Sequence, residues 1–215
     1  MQVHRWLCSF ALVGIASTIA CKSGDRPEGG EQPQPQPAVE RESPVDQTQG
    51  AIPRARAMTK SFASELQSTL LAAIEAGGPA HAISVCKHDA PKIAAAQASE
   101  GWILSRTASR VRNPENAPTA WQRTVLETWQ AQIDEGKVED PASLEWVEMI
   151  EGASGPELRY MRSIVLGGVC LACHGPVEQI SEEVKAALAE QYPEDQATGF
   201  RVGELRGAFV VTGPL

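Results

Sequence analysis

Cys170-Leu171-Ala172-Cys173-His174 is the stretch on which the reading of this chain turns. Two thiols three positions apart, with a histidine directly behind the second, form the attachment signature of a c-type haem. The spacing has a chemical reason. Each sulfur adds to one vinyl group of the porphyrin, and two intervening residues let both reach the same ring edge. The next residue then lies beneath the macrocycle, where the His174 imidazole can ligate the iron from the proximal side. A lone CxxC is also half of a zinc site, or a thioredoxin-type redox pair. Zinc would want two further ligands at metal spacing, and no second CxxC or HxxxH is present. A redox pair would want a βαβ context, which the flanking sequence does not show.

The other cysteines sort by position. Of the five, Cys8 and Cys21 lie in an N-terminal leader and Cys170 and Cys173 in the motif, which leaves Cys86 alone. A disulfide framework is therefore not expected. The leader has a short positive start at His4 and Arg5, an apolar run from Trp6 to Ala20, and small residues before Cys21. That is the plan of an export signal over residues 1–20, too short for a comfortable membrane span of roughly 20 apolar residues. Its end, Thr18-Ile19-Ala20-Cys21, resembles a bacterial lipobox, which makes Cys21 the expected lipidation site and mature first residue. Export to the periplasmic side of a bacterial membrane is what c-type attachment requires. Residues 21–55 are rich in Pro, Gln and Glu, as in Gln32-Pro33-Gln34-Pro35-Gln36-Pro37. With almost nothing apolar to bury, they are expected to form a disordered tether that holds residues 56–215 off the membrane. The formal charge of −8 argues against nucleic acid as a partner.

Within 56–215 the pattern is helical first. Phe62, Leu66, Leu70 and Ile74 recur every four positions, predicting an amphipathic helix from Arg56 to Ala76 that Gly77-Gly78 stops. Pro79 suits the first turn of a second helix carrying Ile83, Val85 and Cys86, which Pro91 is expected to break or restart. Trp102 to Thr107 reads as a short strand. Thr119 with Gln122 makes a capping box for a helix whose stripe is Trp121, Val125, Trp129 and Ile133. Leu144 to Ile150 and Leu158 to Leu166 read as strands joined by a turn at Gly152 to Pro156. Ser181 caps a short helix, and Gly207 to Thr212 is a last strand. Helices followed by a small antiparallel sheet make an α+β fold.

A c-type haem also needs a second axial partner and something to meet its propionates. Cys86 is a candidate for the first, since an unpaired thiol in an exported domain wants a reason to persist. A small buried hydrophobe is the plainer alternative. His81, His88 and Met161 compete for the same role. Cys86 and His88, two residues apart, point to nearly opposite sides of a continuous helix. Arg106, Arg110 and Arg112 are candidates for the propionates, because guanidinium groups meet carboxylates bidentately. Surface ion pairing is their alternative. Trp102 and Trp121 pack on either a porphyrin or a core. No Ser/His/Asp set, paired-carboxylate site or phosphate loop stands out, and an enzyme is not expected.

As a whole the pattern resembles the bacterial haem-c sensor domains of PAS-like fold. The matching residues include Ala82 to Cys86 with Ala90-Pro91, Gly101-Trp102, Arg106-Thr107, Arg112-Asn113-Pro114, Asn116-Ala117-Pro118 and Trp121. They continue through Tyr160-Met161, Cys170 to Gly175, Tyr192-Pro193 with Asp195, Ala197 to Phe200, and Gly203 with Arg206-Gly207-Ala208. Ala108-Ser109-Arg110 departs from the Ser-Leu-Lys usual there. The resemblance implies a PAS-like antiparallel sheet flanked by N-terminal helices, and one covalent haem c with Cys86 and His174 as its two axial ligands. Sensing of redox state or of a small ligand is the expected role, and one-electron transfer the alternative. With no kinase or methyl-accepting segment after Leu215, the redox or signalling partner is expected to be a separate protein.

Overall fold

The computed structural model describes residues 44–215. The leader, Cys21 and the first part of the tether lie outside the described residues. The elements are α1 (Pro44–Ala96), β1 (Ile103–Thr107), α2 (Ala120–Asp134), β2 (Glu145–Gly152), β3 (Gly155–Val165), α3 (Leu171–His174), α4 (Glu182–Gln191) and β4 (Leu205–Pro214). The four strands form one antiparallel sheet in the order β1-β4-β3-β2. The last strand in sequence thus sits inside the sheet. The expected α+β plan is what the chain adopts.

Alternation along the strands gives the sheet two apolar faces. Leu158, Tyr160 and Val211 point to one face and pack with Ala51, Ala55, Met58 and Phe62 of α1. Met161, Ala208 and Val210 point to the other and pack with Val125, Leu126 and Trp129 of α2. The β2–β3 register closes on Gly152 opposite Gly155, a two-residue turn where the sequence predicts one. Capping follows expectation as well. The Thr119 N–H donates to Gln122 Oε1 at 3.0 Å, and Ser181 Oγ accepts from the Val184 N–H at 3.3 Å.

The N-terminal helix departs from the reading twice. It starts at Pro44, so residues 44–55, assigned above to the tether, are helical. Ala51 and Ala55 are buried in line with Met58 and Phe62. Alanines provide this stripe, which is why composition alone reads as a linker. Pro91 does not break the helix; the non-helical dihedral lies at Gly78 alone (φ 77°, ψ 176°). A proline inside a helix costs about 3 kcal/mol. Burial of Ala82, Ile83, Ala90 and Ile93 on either side of it offsets that cost. The kink is where the sequence places a stop, and it needs glycine, because a side chain at that φ is strained. The kink divides α1 in function. The half before Gly78 covers the sheet, and the half after it packs on α4 through Ile83 with Val184 and Leu188.

A polar clasp fixes the first half. Arg56 donates to both Glu145 carboxylate oxygens at 2.8 and 2.5 Å, and the Tyr160 hydroxyl donates to Glu145 Oε1 at 2.5 Å. The Arg56 hydrogen bonds hold the Glu145 carboxyl below the usual range, with Tyr160 helping. Burial, with Glu145 behind it, pushes the Tyr160 phenol up to about 12. A carboxyl with a depressed folded pKa stabilises above its unfolded value, about 4.3, and that stability is lost as pH falls through the folded value. The thermal midpoint is therefore expected to fall on acidification below about pH 4.5 more steeply in the wild type than in Glu145→Gln. Melts followed by far-ultraviolet circular dichroism at several acidic pH values check this, and identical slopes would remove the clasp from the account.

Candidate functional site: a cavity over the CxxCH segment

Between the two halves of α1, β1, the loop after it and the Cys170–His174 segment lies a cavity of about 900 Å³. That is at the upper end of the range for small-molecule and cofactor sites. Much of its wall is apolar, from Leu66, Leu70, Ile74, Ala94 and Leu104 to Phe209. The polar groups converge at one end, where Cys86, Cys170, Cys173, His174, Arg106, Arg112 and Arg206 all line it. The structure thus brings every cysteine it describes to one chamber, as free thiols. Among the described residues no group of three or more His, Cys, Asp or Glu side chains is arranged to hold a metal ion between them.

α3 is only one turn long, and its neighbours position it. The His174 Nδ1–H donates to the Ala197 carbonyl at 2.6 Å. That bond fixes the tautomer and leaves Nε2 as the lone-pair nitrogen. Burial, reinforced by Arg112 and Arg206, pushes the imidazole down to about 3, so the ring is neutral at any ordinary pH. The Phe200 N–H donates to the His174 carbonyl at 2.9 Å, and the Gly199 N–H to the Gly175 carbonyl at 2.7 Å. At Gly175 a Cβ would fall 2.6 Å from the Leu171 carbonyl oxygen, so only glycine lets the chain leave the motif this way. The Phe200 ring stands edge-on to the imidazole at 6.5 Å.

Arg112 is the organiser. It donates to Asp195 Oδ2 at 3.0 Å, to the Cys173 carbonyl at 2.6 Å and to the Ala197 carbonyl at 3.3 Å, and one of its nitrogens lies 3.4 Å from His174 Nε2. The pair is buried, with 12% and 9% of the two side chains exposed. The second Asp195 oxygen accepts the Ala197 N–H at 2.8 Å. A surface ion pair was the plain alternative for this arginine. It is an ion pair, but a buried one that shapes the motif.

Cys86 reaches the cavity from the second half of α1. Burial pushes its thiol up, while Arg106 and then Arg112 pull the other way. Burial likewise pushes Cys173 up. The competing residues fall elsewhere. His81 and His88 are exposed, and His88 borders a separate shallow pocket with Lys87 and Pro193. Met161 is fully buried in the sheet core. Trp102 packs with α1 beneath Arg54, and Trp121 stacks on Trp146 at 5.3 Å beside the α2 core. Arg110 is exposed and lies over Phe200 at 4.1 Å. Sequence reading assigns no role to Asp195, Phe200 or Arg206. The signal available was their place among the matched residues Asp195, Ala197 to Phe200 and Arg206-Gly207-Ala208.

Fold and site together define an α+β domain with one large, mainly apolar chamber, a CxxCH segment in its wall and a histidine preset to offer Nε2. The chain belongs to the Tll0287-like family, whose profile matches residues 38–214. Among solved structures it is similar to that of the cyanobacterial heme-protein Tll0287, at 24% identity and a TM-score of 0.52, over 80% of this chain and 97% of the other. Among curated proteins nothing matches.

Removing one partner of a buried ion pair leaves the other uncompensated, at a cost of roughly 3–5 kcal/mol. Asp195→Asn is expected to lower stability by about 3 kcal/mol, read as a shift of the urea midpoint, because Arg112 then sits unpaired beside two further arginines. Asp89→Asn, on the exposed Lys92 pair, serves as the comparison and is expected to change little.

Proposed function

We propose that this chain is an exported c-type haem protein, anchored by a lipid on Cys21, that senses redox state or a small ligand on the periplasmic side of a bacterial membrane. Cys170 and Cys173 hold one haem covalently, and His174 and Cys86 are its axial ligands. The single observation that carries the reading is that Cys86 and His174 face the same chamber as the two motif thiols. The residues fit the group. The walls are mainly apolar, the imidazole is neutral with Nε2 free of its own proton, and both attachment thiols are unpaired. The similar solved structure is that of a heme-protein, which supports it. The antiparallel sheet with a long N-terminal helix supports the PAS-like assignment.

When bound, haem supplies a one-electron iron centre whose potential a thiolate ligand lowers. The chain's own contribution is to hold His174 rigidly and to present Cys86 from a helix. Cys86 Sγ has no hydrogen bond among the described residues, so its hold on any partner rests on that partner. Release of Cys86 on reduction would expose a coordination position, which is the switch a sensor needs. A one-electron carrier would keep both ligands in both states. The reading is of a binding and sensing protein rather than an enzyme.

The test is an absorption spectrum of the haem-loaded protein, oxidised and reduced, with Cys86→Ala alongside. The oxidised wild type is expected to show thiolate character that the variant loses, and the reduced wild type to take up carbon monoxide. A variant identical to wild type would leave Cys86 as packing only. A reduced iron closed to carbon monoxide would favour the electron carrier.

A further inference from the structure

The chamber carries more positive charge than the protein balances. Four side chains of fixed charge line it: Arg106, Arg112, Arg206 and Glu115. Arg112 is paired with Asp195. Glu115 is exposed, and its carboxylate accepts from Asn113 at 3.5 Å. Arg106 and Arg206 form no salt bridge among the described residues. Among the same residues the Arg106 guanidinium makes no hydrogen bond, and Arg206 gives one, to the Arg110 carbonyl at 3.0 Å. Both are half-buried. Taking a cation out of water without a partner is costly. Burial pushes Arg206 down to about 10, with Arg112 and Arg106 adding to the effect, and pushes Arg106 down as well.

Their surroundings orient rather than neutralise them. Arg106 lies over the Phe62 ring at 5.6 Å and Arg206 over Phe200 at 5.4 Å. A guanidinium laid on an aromatic face keeps its N–H edge free for a planar acceptor. The chamber therefore holds two preset forks and lacks two carboxylates.

We infer that Arg106 and Arg206 hold the two propionate carboxylates of the haem, one each, and that Arg112 holds none. The inference rests on the haem reading proposed above. It assigns Arg206 a role that sequence reasoning did not give it. It also moves Arg112 from the ligand to the chain, because its fork is already filled by Asp195 and two backbone carbonyls. Each arginine–propionate pair is a charge-assisted, fork-to-carboxylate contact, the stronger class of hydrogen bond.

The experiment uses the full haem-loaded chain. Mass spectrometry first establishes covalent haem in the wild type; without it the haem reading fails before any arginine is changed. Resonance Raman spectra and reduction potentials then compare Arg106→Gln, Arg206→Gln and Arg112→Gln, with the exposed Arg123→Gln as the blank. In the Arg106 and Arg206 variants the propionate-bending bands are expected to shift. The potential is expected to fall, since loss of a nearby cation favours the ferric charge. Arg112→Gln is expected to leave the bands in place and to lower stability instead. Where Arg206→Gln does not retain haem, Arg206→Lys is read: it keeps the charge and the potential but still moves a band. Haem attached as in wild type, with bands unmoved in the Arg106 and Arg206 variants or moved only by Arg112→Gln, overturns the inference alone.

Discussion

The guanidinium of Arg112 is the contact on which the site depends. α3 is four residues long, and a single turn of helix has no stability of its own in water. Its orientation must come from outside. Arg112 supplies it by donating to the Cys173 carbonyl, to Asp195 and to the Ala197 carbonyl, partners 61 to 85 residues away in sequence. Asp195 in turn orders the Ala197 amide, and the Ala197 carbonyl takes the His174 Nδ1 proton. A closed circuit of hydrogen bonds thus fixes the ring that the motif presents. Its members come from three separate stretches, so the motif is a reader's landmark but not a self-sufficient structure.

The fold brings those stretches together through the kinked helix. Before Gly78, α1 lies on the sheet face of Tyr160 and Val211 and is pinned by Arg56 on Glu145. After it, the helix turns to α4 and delivers Cys86 to the chamber. Leu66, Leu70 and Ile74 of the first half and Ala82, Cys86 and Ala94 of the second line the same space. A straight helix of 53 residues would run about 80 Å and could not fold back on its own cavity. The reversal at one glycine is what makes a chamber from a single element.

Much of this was legible because it is local. The α2 stripe, the β2–β3 hairpin, the two helix caps and the stop at Gly78 each follow from a few neighbouring residues. The start of α1 was not, because its buried stripe begins with Ala51 and Ala55 amid proline and glutamine, and alanine signals burial weakly. Pro91 misled for the opposite reason: its local cost is real, and tertiary packing on both sides overrides it. At the site, Cys86 was legible as the one cysteine without a place. Arg112 was legible as an arginine with work to do, but its partner Asp195 lies 83 residues on, and nothing in either neighbourhood names the other. Arg206 was least visible of all. Its distinction is the absence of an acidic partner, which a sequence does not display.

The two proposed axial positions are mechanically unequal, and that inequality favours one direction of change. His174 is held through Nδ1, its own carbonyl and the carbonyl before it, by groups on two segments outside the motif. Its low pKa means that protonation does not compete for Nε2 at ordinary pH. Cys86 is held only by the helix that carries it, and desolvation favours its neutral thiol. Any event that weakens one of the two bonds therefore meets a rigid imidazole and an unsupported thiol. On the proposed reading the ligand that leaves is Cys86. The chamber is large enough to receive a small neutral molecule, and Cys86 shares its polar end with the arginines. Attachment, charge recognition and exchange then meet at one end of one cavity, and only the last of them needs to move.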